Sequence, residues 1–78
     1  MQEIYVRANS FQDVKAISAM AAKEEFQILI SDGRRTVNAK SLLGIFSLDV
    51  GRPLLLRLDC GEEDCEAFRV KAGRYVVD

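Results

Sequence analysis

The sequence predicts an α+β domain of two layers, ordered β-α-β-β-α-β-α, with a four-stranded, largely antiparallel sheet carrying its helices on one face. Three observations predict it. Apolar residues alternate in short runs, such as Ile4, Val6, Ala8 and Phe26, Ile28, Ile30, which is the period of a half-buried strand. Between these runs the spacing shifts to the three-to-four-residue recurrence of an amphipathic helix. The chain has 78 residues, a length that buries only about 60% of its unfolded surface and so supports one thin core between two layers. Residues 1–78 are read as a single domain.

Each element has its own signal. Residues 3–8 read as the first strand, with Ile4, Val6 and Ala8 facing the core. Asn9 and Ser10 are cap residues, and Ser10-x-x-Asp13 resembles a capping box. The helix that follows is expected to reach about Lys23, with Phe11, Val14, Ile17 or Ser18, and Ala21 on its buried face. Residues 26–31 read as the second strand. Asp32-Gly33 signals a type I′ hairpin, and residues 34–38 return as the third strand. Ser41 caps a second helix that Gly51 and Pro53 stop. Residues 53–60 form a fourth strand, apolar enough to lie centrally. Gly61 introduces a third helix, with Glu62, Glu63 and Asp64 complementing the positive end of its dipole. Cys65, Phe68 and Ala72 recur at helical spacing. The tail, Arg74 to Asp78, suits either a helical or an extended continuation.

Composition narrows the function classes. Apolar content of 49% with 29% charged residues is that of a globular protein rather than a disordered one. A net charge of −1 gives no reason to expect nucleic acid or an anionic membrane as partner. Met1-Gln2-Glu3-Ile4 lacks a basic region followed by an apolar run, so no signal peptide is expected and a cytoplasmic location is. No cofactor or metal is expected: Cys60 and Cys65, with no histidine anywhere, cannot complete a four-ligand zinc site. They read as small semi-buried residues. The lack of histidine also removes Ser/His, Cys/His and phosphohistidine chemistry. The carboxylates from Asp59 to Glu66 read as a solvated helix start. Arg34, Arg35, Lys40 and Arg52 are placed to gather near one end of the sheet as a modest anion-friendly patch, although charges near turns are usually only solvation.

The most informative stretch runs from Thr36 to Gly51. Leu42, Leu43, Ile45, Phe46 and Leu48 are too dense for alternation and fit a short helix with one face buried and a second apolar strip left over. An apolar strip that begins at Ser41, with Lys40 beside it, reads as a docking surface that phosphate would switch. The plainer reading is a capped helix with nothing bound.

The order of elements, together with Thr36-Val37-Asn38-Ala39-Lys40-Ser41-Leu42-Leu43-Gly44-Ile45-Phe46-Ser47-Leu48, resembles the HPr family of the bacterial sugar phosphotransferase system. The family pattern is a strand, then Asn-x-Lys-Ser, two apolar residues, Gly, two apolar residues and Ser-Leu. Gly61 and Glu66-Ala67-Phe68 resemble the turn and start of the family's last helix. The resemblance implies an open-faced sandwich with sheet order 1-4-2-3 and three helices on one face. It also implies a regulatory serine at Ser41 and a docking strip at Leu42, Leu43 and Phe46, flanked by Lys40. HPr proteins take phosphate from phosphoenolpyruvate, through enzyme I, on a histidine that begins the first helix, and pass it to sugar permeases. In Gram-positive bacteria a kinase phosphorylates the regulatory serine, and that form binds a transcriptional repressor.

One part of the pattern is missing. The family's active loop reads roughly Gly-(Leu/Ile)-His-x-Arg-Pro-Ala, whereas the corresponding region here is Ala8-Asn9-Ser10-Phe11-Gln12-Asp13-Val14. Ser10 falls near the histidine position, but a serine phosphate ester is a poor donor where a phosphoimidazole is a ready one. Three functions follow. The first is a non-enzymatic regulatory module that binds proteins through Leu42, Leu43 and Phe46, gated at Ser41; by resemblance its partners are phosphotransferase components, a serine kinase or a transcriptional regulator. The second is a phosphocarrier using Ser10 or Asp13 as acceptor. The third is an accessory structural domain, in which Ser41 is only a cap and the strip is partly buried in an oligomer. A monomer or weak homodimer is expected.

Overall fold

Alternation in the sequence becomes a four-stranded sheet in the computed structural model, which describes residues 1–77. Asp78 lies outside the described residues. The strands are β1 (Gln2–Val6), β2 (Ile28–Ser31), β3 (Thr36–Asn38) and β4 (Leu54–Leu58), and the helices are α1 (Phe11–Ala22), α2 (Leu42–Ile45) and α3 (Glu62–Lys71). All pairings are antiparallel and the order is β1-β4-β2-β3. β4 is central, as its leucine density predicts. It pairs with β1 from Gln2↔Leu58 to Val6↔Leu54 and with β2 from Ile28↔Leu58 to Ser31↔Leu55.

Strand parity places Ile4, Val6, Ile28, Ile30, Leu54, Leu56 and Leu58 on one face, and all seven are buried. Val14, Ile17 and Ala21 from α1, Ile45 from α2, and Phe68 and Ala72 from α3 and its cap close this face. Burying each large side chain of this set contributes about 1.5–3 kcal/mol. On the opposite face Glu3, Tyr5 and Arg57 are exposed and Leu29, Ser31 and Leu55 half-buried.

Several boundaries differ from expectation. β1 ends at Val6, although Ala8 remains in the core, and β2 begins at Ile28 rather than Phe26. β4 spans Leu54–Leu58, without Pro53, Asp59 and Cys60. The β2–β3 connection is not a two-residue type I′ turn. Only Gly33 has positive φ (97°), and the loop spans residues 32–35, with the Asp32 N–H donating to the Arg35 carbonyl at 3.3 Å. Consequently β3 starts at Thr36 and leaves Arg34 and Arg35 in the loop. The reason is the Asp32 side chain, which organises the loop by accepting backbone N–H bonds.

The second helix is shorter than expected. Gly51 and Pro53 do not end it; the backbone tightens after Ile45. The Ser47 and Leu48 N–H groups donate three residues back, to the Gly44 and Ile45 carbonyls, at 3.0 and 2.9 Å. In the tail, Arg74 and Tyr75 continue the turn that follows α3, and only Val76 and Val77 run beside β1. Val76 bridges Val6, the Arg7 N–H donates to the Tyr75 carbonyl at 2.8 Å, and the Val77 N–H donates to the Tyr5 carbonyl at 2.9 Å.

Candidate functional site

Ser41 is the N-cap of α2. Its extended backbone (φ −100°, ψ 106°) turns the hydroxyl back so that Oγ accepts the Gly44 N–H at 3.1 Å. Gly44 makes that geometry feasible without crowding: a Cβ there would stand 3.2 Å from Ser41 Oγ and 3.4 Å from Val37 Cβ. The Ser41 side chain faces solvent.

The strip that follows separates as its spacing requires. Ile45 and Leu48 are buried, Leu42 is half-buried, and Leu43 and Phe46 remain 85% and 43% exposed. Phe11, expected on the buried face of α1, is instead 54% exposed. As the first residue of α1 it overhangs the core and meets α2. Its ring stacks on Phe46, with centroids 5.2 Å apart and planes 7° from parallel, and Lys15 Nζ lies 5.5 Å from the Phe11 centroid. The first turn of a helix departs from the core plane while still matching its periodicity; an aromatic at that position was the signal available.

The residues beginning α1 share this surface. A groove of about 300 Å³ is lined by Ala8, Asn9, Ser10, Phe11, Val14, Phe46, Val50 and Gly51. Ser10 and Phe46 are thus brought together, whereas Ser41, Leu42 and Leu43 do not line the groove. Ser10 Oγ accepts the Asp13 N–H at 3.2 Å, and Asp13 Oδ2 accepts the Asn9 N–H at 2.9 Å. The reciprocal half of the capping box therefore falls on Asn9 rather than on Ser10. Both candidate acceptors, Ser10 and Asp13, serve as helix caps, and no group of three or more acidic or cysteine side chains suited to a metal ion occurs among the described residues.

Lys40, expected beside Arg34, Arg35 and Arg52, does not line the cavity those arginines share. Its half-buried side chain donates from Nζ to the Glu24 carbonyl at 2.7 Å, tying the β3–α2 connection to the end of α1. Arg34, Arg35 and Arg52 do gather, at the loop end of the sheet, with Asp32, Ser47, Leu48 and Asp49 around a cavity of about 410 Å³. Asp32, which the sequence marks only as a turn residue, builds that end. Its Oδ1 accepts the Arg34 and Arg35 N–H groups at 2.8 and 2.9 Å, and its Oδ2 accepts the Asp49 N–H at 2.9 Å. These bonds, led by that from Asp49, hold the carboxyl well below the usual carboxylate range. Cys60 and Cys65 are half-buried free thiols, and burial pushes both up, away from the reactive thiolate.

The fold and the Ser41-capped strip together define an HPr-like open-faced sandwich. Solved structures similar to it include HPr phosphocarrier proteins. The crystal structure of HPr-C-His from Thermoanaerobacter tengcongensis aligns with TM-score 0.72 and 26% identity, covering 91% of this chain and 89% of that one. That of the phosphocarrier protein HPr from Bacillus anthracis str. Ames aligns with TM-score 0.72 and 23% identity, covering 97% and 94%. No protein-family model and no curated protein sequence matches the chain. No helix among the described residues is long and apolar enough to cross a membrane.

Proposed function

We propose that this chain is a regulatory HPr-like module of the cytoplasm that binds partner proteins through Leu43, Phe46 and Phe11 and is gated by phosphate at Ser41. One observation carries the reading: two stacked phenyl rings and an 85% exposed leucine stand together on α2 and the start of α1. Large exposed apolar groups gathered in this way suit burial against a partner. Leu42 and Lys40 are half-buried, and Lys40 Nζ is bonded to the Glu24 carbonyl, so the exposed part of the strip is Leu43 with Phe46.

The HPr likeness supplies the kind of partner: phosphotransferase components, a serine kinase, or a transcriptional regulator that reads the phosphorylated form. Ser41 is exposed and stands beside the strip, so a phosphate there would place close to two negative charges at the edge of the docking surface. Transfer of the family's usual kind is not part of this function. The chain has no imidazole, and the ester that Ser10 would form gives up phosphate poorly.

Two incubations read by mass spectrometry test the proposal. With ATP and an HPr serine kinase, one phosphate is expected, lost in Ser41→Ala. With phosphoenolpyruvate and enzyme I, no adduct is expected. A labile adduct at Ser10 or Asp13 would establish the carrier function instead, and no phosphate in either incubation would leave an accessory structural domain.

A further inference from the structure

We infer that the cavity between the β2–β3 loop and the α2–β4 connection is a binding site for a small phosphate-bearing anion, held by Arg34, Arg35 and Arg52. Three arginines from two separate segments line one space of about 410 Å³. Among the described residues none of the three forms an ion pair, in contrast to Arg57, whose Nε lies 3.1 Å from Glu3 Oε2. Three unpaired like charges around one cavity repel each other unless an anion or water stands between them.

The two carboxylates in the wall offset part of that charge, leaving the arginines one positive charge in excess, and neither is paired with a guanidinium among the described residues. Both oxygens of Asp32 are engaged by backbone N–H groups, and Asp49 Oδ1 accepts the Gly51 N–H at 3.2 Å. They hold the wall in shape, and the three guanidinium forks remain without a carboxylate partner among the described residues. Phosphate matches that fork, because its oxygens accept paired N–H bonds in one plane. Ser47 adds a hydroxyl oxygen at the rim, with its proton directed to the Gly44 carbonyl at 2.6 Å. The volume suits a small ligand and not an extended chain. None of Phe11, Leu43 and Phe46 lines this cavity, so the site stands or falls independently of the docking face.

The test is a titration of the isotope-labelled full chain followed by NMR, reading the arginine Nε–H signals and the Arg34, Arg35 and Asp49 amides. Inorganic phosphate and glycerol phosphate are the two probes, and sodium chloride at matched ionic strength is the control. Saturable shifts confined to these groups are expected with both probes. Tighter binding of glycerol phosphate would identify an organic phosphate as the ligand, and tighter binding of inorganic phosphate the free ion. An Arg35→Gln/Arg52→Gln double variant should weaken binding by about tenfold or more through loss of charge-assisted contacts, while Arg57→Gln should leave it unchanged. Shifts that never saturate, that chloride reproduces, or that survive the double substitution would overturn the inference.

Discussion

At the scale of single residues, two polar side chains do more than their positions in sequence suggest. Ser41 completes the start of a helix of only four residues (Leu42–Ile45), too short to be stable on its own. Ser41→Ala should therefore cost about 1 kcal/mol in chemical denaturation, besides abolishing phosphate uptake from a serine kinase. Asp32 acts over a longer range, joining the turn after β2 to Asp49, seventeen residues away. Its carboxyl titrates lower in the folded chain than unfolded, so the stability it contributes is fully present above the unfolded value of about 4 and is lost as pH falls toward the folded one. Stability curves of the native chain and Asp32→Asn should consequently converge below about pH 4, and the native chain should be the more stable at neutral pH. Parallel curves across that range would show that the carboxylate's charge is irrelevant to the turn. Ser41 was legible in advance because capping is local. Asp32 was not, since the bond to Asp49 depends on how the chain has folded.

At the scale of elements, the short helix and the first turn of α1 behave as one unit. The stacked pair Phe11–Phe46 joins two elements whose other contacts lie deeper. A double-mutant cycle with Phe11→Ala and Phe46→Ala should give a stability coupling toward the lower part of about 0.5–1.5 kcal/mol, as both rings are partly exposed. Leu43→Ala should leave stability within about 0.5 kcal/mol while weakening capture of a partner, a combination that a structural role for Leu43 would reverse. Element order and type could be read directly, because alternation in β1 and helical recurrence in α3 are each set by burial on one side. The ends could not. α2 stops where three-residue bonds replace four-residue ones, and neither Gly51 nor Pro53 signals that change. Phe11 fitted the buried period of α1 although the helix had not yet reached the core.

At the scale of the whole molecule, the central place of β4 followed from Leu54, Leu56 and Leu58 with Leu55 between them, since only a strand covered by two neighbours tolerates so few polar residues. The strand order itself came from resemblance, and the pairing of β4 with both β1 and β2 agrees with it. The proposed surfaces are distributed over this frame: the aromatic strip over α1 and α2 with Ser41 at its edge, and the arginine cavity at the loop end. The sheet also has two outer edges, and they are protected differently. β3 is only three residues long, too short to template another strand well. β1 is five residues long, and what covers it is the tail, through the Tyr5 carbonyl and the Arg7 N–H. A chain ending at Gly73 would leave both groups unpaired along an edge whose buried side chains, Ile4 and Val6, are apolar. Such a truncation should associate with rising concentration in light scattering where the full chain does so less. The last few residues would then act as a guard against self-assembly, holding shut the one side of the sheet on which a second copy would otherwise grow.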